Sequence, residues 1–270
     1  MESMPKRTLN EVHTAVEAGP PHAPAPVTAR CGASRSGARR RHSARPQAAQ
    51  WREELQAGIL ERQAAGQGFC RVAGVDEAGR GPLAGPLVAA AVVLGHPLPG
   101  LNDSKQLTPE KRAHLFDVLR DGPHAIGIAV VPSGEIDRMG IQPANYAAMH
   151  RAVNQITPLP DYLLVDGFEI AGCPIPQCRI IKGDCRSQSI AAASIIAKVT
   201  RDRIMDELDG QFPQYGFARH KGYGTSEHLE AIARCGPCPH HRRSFAPFAR
   251  SLQTGPLFSE PDEDSCSCAT

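Results

Sequence analysis

The sequence has no apolar run that approaches the roughly 20 residues of a membrane-spanning helix. Its first residues also lack the apolar core of a secretory signal peptide. Its nine cysteines are odd in number and irregularly spaced, unlike those of a disulfide framework. A reducing compartment is the simpler explanation for such cysteines. Together these absences predict a cytoplasmic protein that has no membrane partner.

Acidic residues are absent from Gly19 to Gln50, where Pro, Ala, Arg and Ser dominate. Such a segment cannot bury enough apolar surface to offset the chain entropy that folding removes. We therefore expect residues 1–50 to be a disordered, low-complexity basic extension of which no role is required, although its arginines could add non-specific attraction to phosphates. A transit peptide and a translation start further downstream are alternatives. Three glutamates before position 18 argue against the transit peptide.

A strong net charge is also missing, because the value of +2 is too small to indicate a nucleic-acid partner by itself. The 270 residues allow one domain of ordinary size with additional segments. After the extension we expect a lead-in helix, a main domain, a helical C-terminal segment and a disordered acidic tail, at residues 51–68, 69–210, 211–255 and 256–270. The sequence contains no long apolar heptad pattern that would indicate self-association, so a monomer is expected.

The main domain is organised around residues 72–94, which read VAGVDEAGRGPLAGPLVAAAVVL. Two apolar runs bounded by Gly and Pro predict buried strands, and Asp76 and Glu77 follow the first of them. Adjacent strand residues point to opposite faces, so this pair can share one site only if the strand turns or bulges at Glu77. By itself, such a pair is typical of a solvated acidic turn.

The pattern of the main domain predicts an α/β fold with a mixed sheet. Thr108 followed by Pro109 signals a helix start, and Gly122 signals its end. Further strands are expected at 125–131, 162–165 and 175–181, and further helices at 133–139, 143–156 and 189–209. The first three strands form an antiparallel meander in this prediction.

Three aspartates follow predicted strands: Asp76 the first, Asp166 the fourth and Asp184 the fifth. With Glu77 they can converge at one rim of the sheet, where they would repel one another unless cations lay among them. Ligands that are all oxygen select Mg²⁺ or Mn²⁺. Two such ions about 4 Å apart activate a water and stabilise the leaving oxygen of a phosphodiester. Each carboxylate alone is typical of a cap or turn, but jointly they predict this two-metal site.

At these residues the sequence resembles the ribonuclease HII family, the type 2 ribonucleases H. The matching motifs occur in the family's order: GVDEAGRGPLAGP (74–86), DSKQL (103–107), VDG (165–167), KGD (182–184), SIAAASIIAKVTRD (189–202), HKGYGT (220–225) and HRRSF (241–245). The resemblance covers about residues 73–252. It implies a ribonuclease H-like fold, with a five-stranded mixed sheet flanked by helices and a small C-terminal helical segment that binds substrate.

The resemblance also implies cleavage of RNA within RNA–DNA duplexes, including a single ribonucleotide embedded in duplex DNA. Asp76, Glu77, Asp166 and Asp184 fall on the family's catalytic, metal-binding carboxylates. The Mg²⁺ or Mn²⁺ expected from the carboxylates is consistent with this activity.

The same resemblance assigns residues that read the sugar. Gly79, Arg80 and Gly81 fall on the loop that recognises the junction between ribonucleotide and deoxyribonucleotide. Tyr223 falls on the tyrosine that packs against the deoxyribose. A glycine backbone can approach a sugar closely, and a 2′-hydroxyl can both donate and accept. An aromatic ring over the next sugar leaves no room for an extra hydroxyl.

Basic residues near these motifs are candidates for holding phosphates. Lys105, Lys182 and Lys221 are expected phosphate contacts, although a surface lysine is usually only solvated. Arg242 and Arg243 are equally typical of phosphate contacts and of salt-bridge partners.

The same motifs distinguish the expected function from competing ones. The related ribonuclease HIII typically has Gly-Thr-Gly where this chain has Gly-Arg-Gly, and a structured N-terminal substrate-binding domain. A hybrid-binding protein without catalysis would be expected to have lost a carboxylate, and none of the four is missing. A metal-dependent phosphatase or an RNA-nonspecific nuclease is disfavoured by Arg80 in its loop together with Tyr223.

Cysteine chemistry offers one further alternative. Cys235 and Cys238 have a zinc-ligand spacing, but the adjacent histidines His240 and His241 are not the usual second half of a zinc site. Zinc is therefore not favoured. Cys185 follows Asp184, so its oxidation could disturb the expected metals. The two cysteines of the acidic tail are expected to be exposed thiols.

Overall fold

The structure is a computed structural model that describes residues 44–248. The predicted basic extension lies outside this range up to residue 43, and the predicted acidic tail, with its two cysteines, lies outside it entirely. Within the range, no helix is both long and apolar enough to cross a membrane. The strands are β1 (Val72–Ala78), β2 (Leu87–Val93), β3 (Ala125–Val131), β4 (Tyr162–Asp166) and β5 (Gln177–Ile180).

The helices begin where the sequence supplies capping groups. The Thr108 hydroxyl accepts from Lys111 N at 3.4 Å, and the Ser187 hydroxyl accepts from Ile190 N at 3.1 Å. The helices are α1 (Ala44–Ala57), α2 (Ile59–Gly66), α3 (Pro109–Asp121), α4 (Ser133–Met139), α5 (Ile141–Asn154), α6 (Gln188–Gln211), α7 (Phe217–His220) and α8 (Ser226–Cys235).

The strands form one mixed sheet in the order β3-β2-β1-β4-β5. β1, β2 and β3 pair as the predicted antiparallel meander, whereas β4 and β5 run parallel to β1. Val75 pairs with Val165, so Asp76 and Asp166 are the next residues along two parallel strands. The sheet therefore brings these two carboxylates to the same rim.

Helices cover both faces of the sheet. Side chains alternate along β2: Leu87 and Ala89 pack towards α4 and α5, while Val88 and Ala90 pack towards α3 and α6. The approach of α6 is close, because a Cβ on Gly74 of β1 would lie 2.0 Å from the Ser189 carbonyl carbon. This contact fixes the start of α6 against the strand that carries Asp76.

Several predicted element boundaries were wrong. The lead-in helix expected from position 51 begins at Ala44, inside the predicted extension, and Gly58 in the left-handed region (φ 58°) separates it from α2. α5 begins two residues earlier than predicted, because the left-handed Gly140 rather than Pro143 precedes its first turn. β5 is shorter than predicted, because its pairing with β4 begins only at Leu163 and Gln177, where Leu163 N donates to Pro176 O at 2.9 Å.

The C-terminal segment packs against the loop that follows β1. Leu83 N donates to Gly222 O at 2.8 Å, and Arg242 N donates to Leu83 O at 2.8 Å. Gly85 N donates to His240 O at 2.9 Å. These backbone bonds join the segment to residues that come 130 or more positions earlier in the sequence. The segment thereby becomes one side of the cleft described next.

Candidate active site

Two carboxylates stand side by side at the end of β1. Their strand does not bulge: Asp76 pairs with Ala90 and Glu77 with Ala89 in regular antiparallel register, so the expected turn at Glu77 was wrong. The pleat sends Asp76 towards Ser194 of α6 and Glu77 towards Asn145 of α5, and each of these groups acts on the carboxylate it faces. The rim of the sheet, where helical cover ends, is what lets both carboxylates reach one site.

Asp166 and Asp184 are linked through the turn after β5. Asp166 ends β4, and its Oδ1 accepts from Gly183 N at 2.7 Å. Asp184 lies in the 3₁₀ turn Gly183–Cys185, which follows Lys182 in the left-handed region at φ 55°. A Cβ at position 183 would lie 2.5 Å from Ile190 Cδ1 and 3.2 Å from Asp166 Oδ1, so a larger residue there would displace the Ile190 side chain and crowd Asp166. This turn aims Asp184 back at the rim that holds Asp166.

The electrostatics of the rim indicate a deficit of positive charge. Burial raises the pKa of Asp76 well above its ordinary value, and Glu77 and Asp166 raise it further. Burial likewise raises the pKa of Glu77, Asp166 and Asp184, and Asp103 and Asp166 add to the rise at Asp184. Buried carboxylates that repel one another are stabilised by bound cations.

The donor set fits a hard divalent cation. Glu77 Oε2 is buried and has no hydrogen-bond partner among the described residues. The four predicted carboxylates offer only oxygen, the ligand that Mg²⁺ and Mn²⁺ prefer. Within residues 44–248, however, the one group of three ligand atoms within 4.8 Å of one another is Asp103, Asp184 and Cys185. Asp103 is thus an additional carboxylate that the sequence analysis did not select.

The thiol of Cys185 is a weak candidate for oxidation. Burial, followed by the carboxylates of Asp184 and Asp103, raises the pKa of Cys185 to about 12. Because the thiolate is the reactive form, this environment keeps the sulfur protonated and unreactive. Without a bound cation, the raised pKa therefore disfavours oxidation at this position.

The predicted sugar-reading loop lies against the carboxylates. Gly79 is in the left-handed region at φ 94°, and a Cβ there would lie 2.1 Å from Arg201 Nε. Arg80 Nη1 lies 3.4 Å from Glu77 Oε1, Nη2 donates to Gln142 Oε1 at 2.9 Å, and the guanidinium lies 4.9 Å from the Phe168 ring centre. Arg80 is therefore held by three groups before any substrate arrives.

Tyr223 lies on the other side of the loop. A Cβ built on Gly81 would lie 3.9 Å from Tyr223 Cε1, so the ring and this glycine share one wall of the cleft. The Tyr223 side chain is exposed, and its backbone is held by a bond from Tyr223 N to His220 O at 2.9 Å. The structure places the ring of this tyrosine beside the Gly-Arg-Gly loop.

Two buried arginines hold the loop from behind. Arg242 Nη2 donates to Gly79 O at 2.6 Å, Nη1 donates to Arg80 O at 3.0 Å, and Nε donates to Gly85 O at 3.1 Å. Arg201 donates to Pro86 O at 2.9 Å. From the sequence, we expect Arg242 to contact phosphate or to form a salt bridge. Its guanidinium does neither, because it is fully buried against backbone carbonyl groups. No periodicity or motif chemistry distinguishes such an arginine from an exposed one.

The three predicted lysines occupy different environments. Lys105 Nζ lies 3.7 Å from Asp184 Oδ2 at the rim. Burial opposes the charged form of Lys105, but Asp184 and Asp103 outweigh it and raise its pKa. Lys182 Nζ lies 5.0 Å from the Trp51 ring centre. Lys221 forms an ion pair with Asp206, so its charge is largely neutralised within the protein.

The cysteine and histidine residues of the C-terminal segment contact one another through hydrogen bonds. His241 Nδ1 lies 3.1 Å from Cys238 Sγ, and His241 Nε2 lies 3.1 Å from His228 Nε2. Cys235 is exposed and belongs to no group of three close ligand atoms within the described range. The zinc-like spacing read in the sequence therefore corresponds to a packed polar cluster around His241.

A five-stranded sheet of this order, with acidic side chains at the rim of its parallel strands, defines a hydrolase of the ribonuclease H-like fold. The family model Ribonuclease HII matches residues 73–248. The chain belongs to the ribonuclease HII family, and it is a metal-dependent endoribonuclease that acts on RNA–DNA hybrids.

Individual relatives agree with this assignment. The chain is 57% identical over 205 residues to Ribonuclease HII of Geobacillus kaustophilus (strain HTA426), covering 75% of this chain and 77% of the relative. Among solved structures it is similar to the ribonuclease H2 from Pyrococcus horikoshii OT3, with a TM-score of 0.59, 29% identity and coverage of 68% and 98% of the two chains. It is also similar to ribonuclease HII in the PCNA complex from Archaeoglobus fulgidus, with a TM-score of 0.55, 26% identity and coverage of 64% and 94%.

Proposed function

We propose that this enzyme cleaves the RNA strand of RNA–DNA hybrids and also nicks duplex DNA on the 5′ side of a single embedded ribonucleotide. The observation that carries the proposal is the position of the Gly-Arg-Gly loop: Arg80 lies 3.4 Å from the buried Glu77, and Gly81 lies beside the Tyr223 ring. A site that senses one sugar thus adjoins a site suited to phosphodiester hydrolysis. We further propose that the enzyme acts as a cytoplasmic monomer in ribonucleotide and RNA-primer removal.

The catalytic residues in this proposal are Asp76, Glu77, Asp166 and Asp184, which would hold two Mg²⁺ or Mn²⁺ ions. Such ions supply charge for the attacking water and for the leaving oxygen. The protein's own part is to keep the carboxylates in place, with Asp166 fixed by Gly183 N at 2.7 Å and Glu77 facing Arg80 at 3.4 Å. Their raised pKa values are returned towards ordinary values by the cations they bind.

Recognition of the ribonucleotide is assigned to the backbone of Gly79, Arg80 and Gly81. The carbonyls of Gly79 and Arg80 accept from the buried Arg242, so the loop is rigid before it meets the 2′-hydroxyl. A preorganised loop discriminates better because it spends no binding energy on becoming ordered. Tyr223, exposed beside Gly81, would lie against the following deoxyribose and exclude a second hydroxyl.

The lysines are assigned to phosphates of the bound duplex. Lys105 and Lys182 border the rim that carries Asp184 and can reach a strand held there. Lys221 contributes less in this proposal, because Asp206 already neutralises it.

The deciding experiment uses a DNA duplex that carries one ribonucleotide, with Mg²⁺, Mn²⁺ or EDTA added, and an all-DNA duplex as control. We expect a metal-dependent nick 5′ of the ribonucleotide that leaves a 3′-hydroxyl and a 5′-phosphate. Binding without cutting in either metal would favour a non-catalytic hybrid-binding protein. Equal cutting of the all-DNA control would contradict the role assigned to Arg80's loop and Tyr223.

A further inference from the structure

A cavity adjoins the catalytic rim at Asp184. It has a volume of about 390 Å³ and opens between helix α1, the loop at 102–106 and the turn that carries Asp184. Trp51 and Arg52 line it from α1, and Lys105 and Lys182 line it from the other two walls. We call it the α1 pocket. Asp184, which also lines the pocket, belongs to the proposed catalytic site, so the pocket adjoins that site.

The α1 wall of the pocket is built into the fold. Leu55 of α1 is 1% exposed and packs with the core between the sheet and α6. Glu54 Oε2 accepts from Arg186 Nε at 2.8 Å, and Gln56 Nε2 donates to Leu101 O at 3.3 Å. These contacts tie α1 both to the segment after Asp184 and to the loop before Asp103. Trp51 and Arg52 are therefore held in a fixed place relative to the rim.

The chemistry of the pocket is that of a nucleic-acid backbone site. Lys182 Nζ lies 5.0 Å from the Trp51 ring centre, an arrangement in which the ring steadies the cation. Arg52 is exposed and forms no ion pair within residues 44–248, so its charge is free to act on a ligand. Lys105, whose Nζ lies 3.7 Å from Asp184 Oδ2, adds a third cation to the pocket. Cations beside an aromatic surface are the combination that binds phosphates and stacks sugars or bases.

We propose that the α1 pocket binds the sugar–phosphate backbone of the nucleic-acid substrate next to the cleaved phosphodiester, with Arg52 and Lys182 on phosphate and Trp51 against the adjoining nucleotide. The lead-in helix is then part of the substrate interface. Trp51 and Arg52 precede residues 73–248, the region that the family model matches. The inference rests on the proposed function, because the pocket would bind a further part of the same nucleic-acid substrate.

The chain offers a direct probe, because Trp51 is its one tryptophan. The full-length Asp76→Asn protein in Mg²⁺ would be titrated with a duplex carrying one ribonucleotide, while its emission and the anisotropy of a dye on the duplex are both recorded. Asp76 does not line the pocket, so this change leaves its walls intact. We expect the tryptophan emission to change along the same saturation curve as the anisotropy.

Charge variants test the phosphate contact itself. Arg52→Ala should weaken duplex binding for all sequences, and the slope of log affinity against log salt should become shallower by about 0.9 for one lost phosphate contact. Arg62→Ala is the matched control, because Arg62 is an exposed arginine on α2 that lines a different cavity, near the start of β1 and the end of β2. Its affinity and salt slope should equal those of the unchanged protein.

The outcomes separate the inference from the function beneath it. Duplex binding and cleavage without any change in tryptophan emission, or an Arg52→Ala slope equal to that of Arg62→Ala, would overturn the α1 pocket and leave the proposed function standing. No duplex binding by anisotropy, together with no cleavage by the unchanged enzyme, would overturn both.

Discussion

Replacing Arg242 with Met tests whether a buried guanidinium organises the sugar-reading loop. The change removes the donors that now serve the carbonyls of Gly79, Arg80 and Gly85, while a side chain of similar length still fills the space. Arg243→Met provides a matched control, because the neighbouring arginine is exposed and only its backbone N–H, which donates to Asp137, is involved in a hydrogen bond that the substitution keeps.

Two opposing effects determine how much Arg242→Met changes the free energy of unfolding. A buried acceptor that loses its donor costs about 1–3 kcal/mol, and three carbonyls are affected here. Burial lowers the pKa of Arg242 to about 9, with Arg201 adding to the effect, so removing the charge also relieves a desolvation penalty. The relief offsets part of the loss. We therefore expect a net destabilisation near the lower end, about 3 kcal/mol.

Chemical denaturation measures this change, and cleavage assays well below the unfolding transition measure its effect on function. Arg242→Met should lower the midpoint, and nicking at a single ribonucleotide should fall further than cleavage of a long hybrid. Arg242→Lys should recover only part of the loss, since an ammonium cannot reproduce the fork of a guanidinium. Arg243→Met should stay within about 0.5 kcal/mol of the unchanged protein. Equal stability and equal nicking by Arg242→Met and Arg243→Met would refute the reasoning.

Three further predictions concern the rim, the tyrosine and the histidines. Asp76→Asn and Asp184→Asn should each remove most cleavage activity while the circular dichroism spectrum and the unfolding midpoint persist; full activity of either variant in saturating metal would contradict the site. Tyr223→Ala should impair nicking at single ribonucleotides more than cleavage of all-RNA hybrids, and equal losses on both substrates would argue against a junction-reading role. Burial, with His228 nearby, lowers the pKa of His241 to about 4, so below about pH 6.5 the unfolded chain binds a proton that the folded chain does not. Titration of His241 should therefore lower the free energy of unfolding by about 2 kcal/mol between pH 7 and pH 5, whereas the rim carboxylates with raised pKa values act in the opposite direction. Denaturant titrations at each pH measure the His241 contribution as the difference between the pH profiles of the unchanged protein and His241→Gln; identical pH profiles for the two proteins would contradict this assignment.

Local pattern predicted most of the fold. The apolar runs of β1 and β2, the Thr108 cap and the Gly122 stop are local features, and the structure has strands and a helix at those places. The predicted ends of strands and helices were wrong where the residue that sets the end is distant in the sequence. β1 runs on through the acidic pair to Ala78, because β2 supplies regular partners for Asp76 and Glu77. Pairing with a strand that comes later in the chain cannot be recognised from the residues of β1 themselves.

The candidate site shows the same division. Asp76, Asp166 and Asp184 could be selected from the sequence, because carboxylates at the ends of neighbouring parallel strands must meet at one rim. Asp103 could not be separated from an ordinary polar turn, and only the fold places its carboxylate and that of Asp184 within 4.8 Å. The zinc-ligand spacing at Cys235 and Cys238 likewise carried no information on whether four ligands would converge.

What the sequence determined by itself is the chemistry available to this protein: four carboxylates at strand ends, a glycine-flanked arginine, and a motif order that identifies the family. What only the tertiary structure decided is which cations are buried or paired within the protein and which are exposed. Arg242 is buried against the loop, Lys221 is paired with Asp206, and Arg52 is exposed beside the rim. The physical reason is that a charged side chain takes its role from its burial and its partners, and both depend on residues distant in the chain.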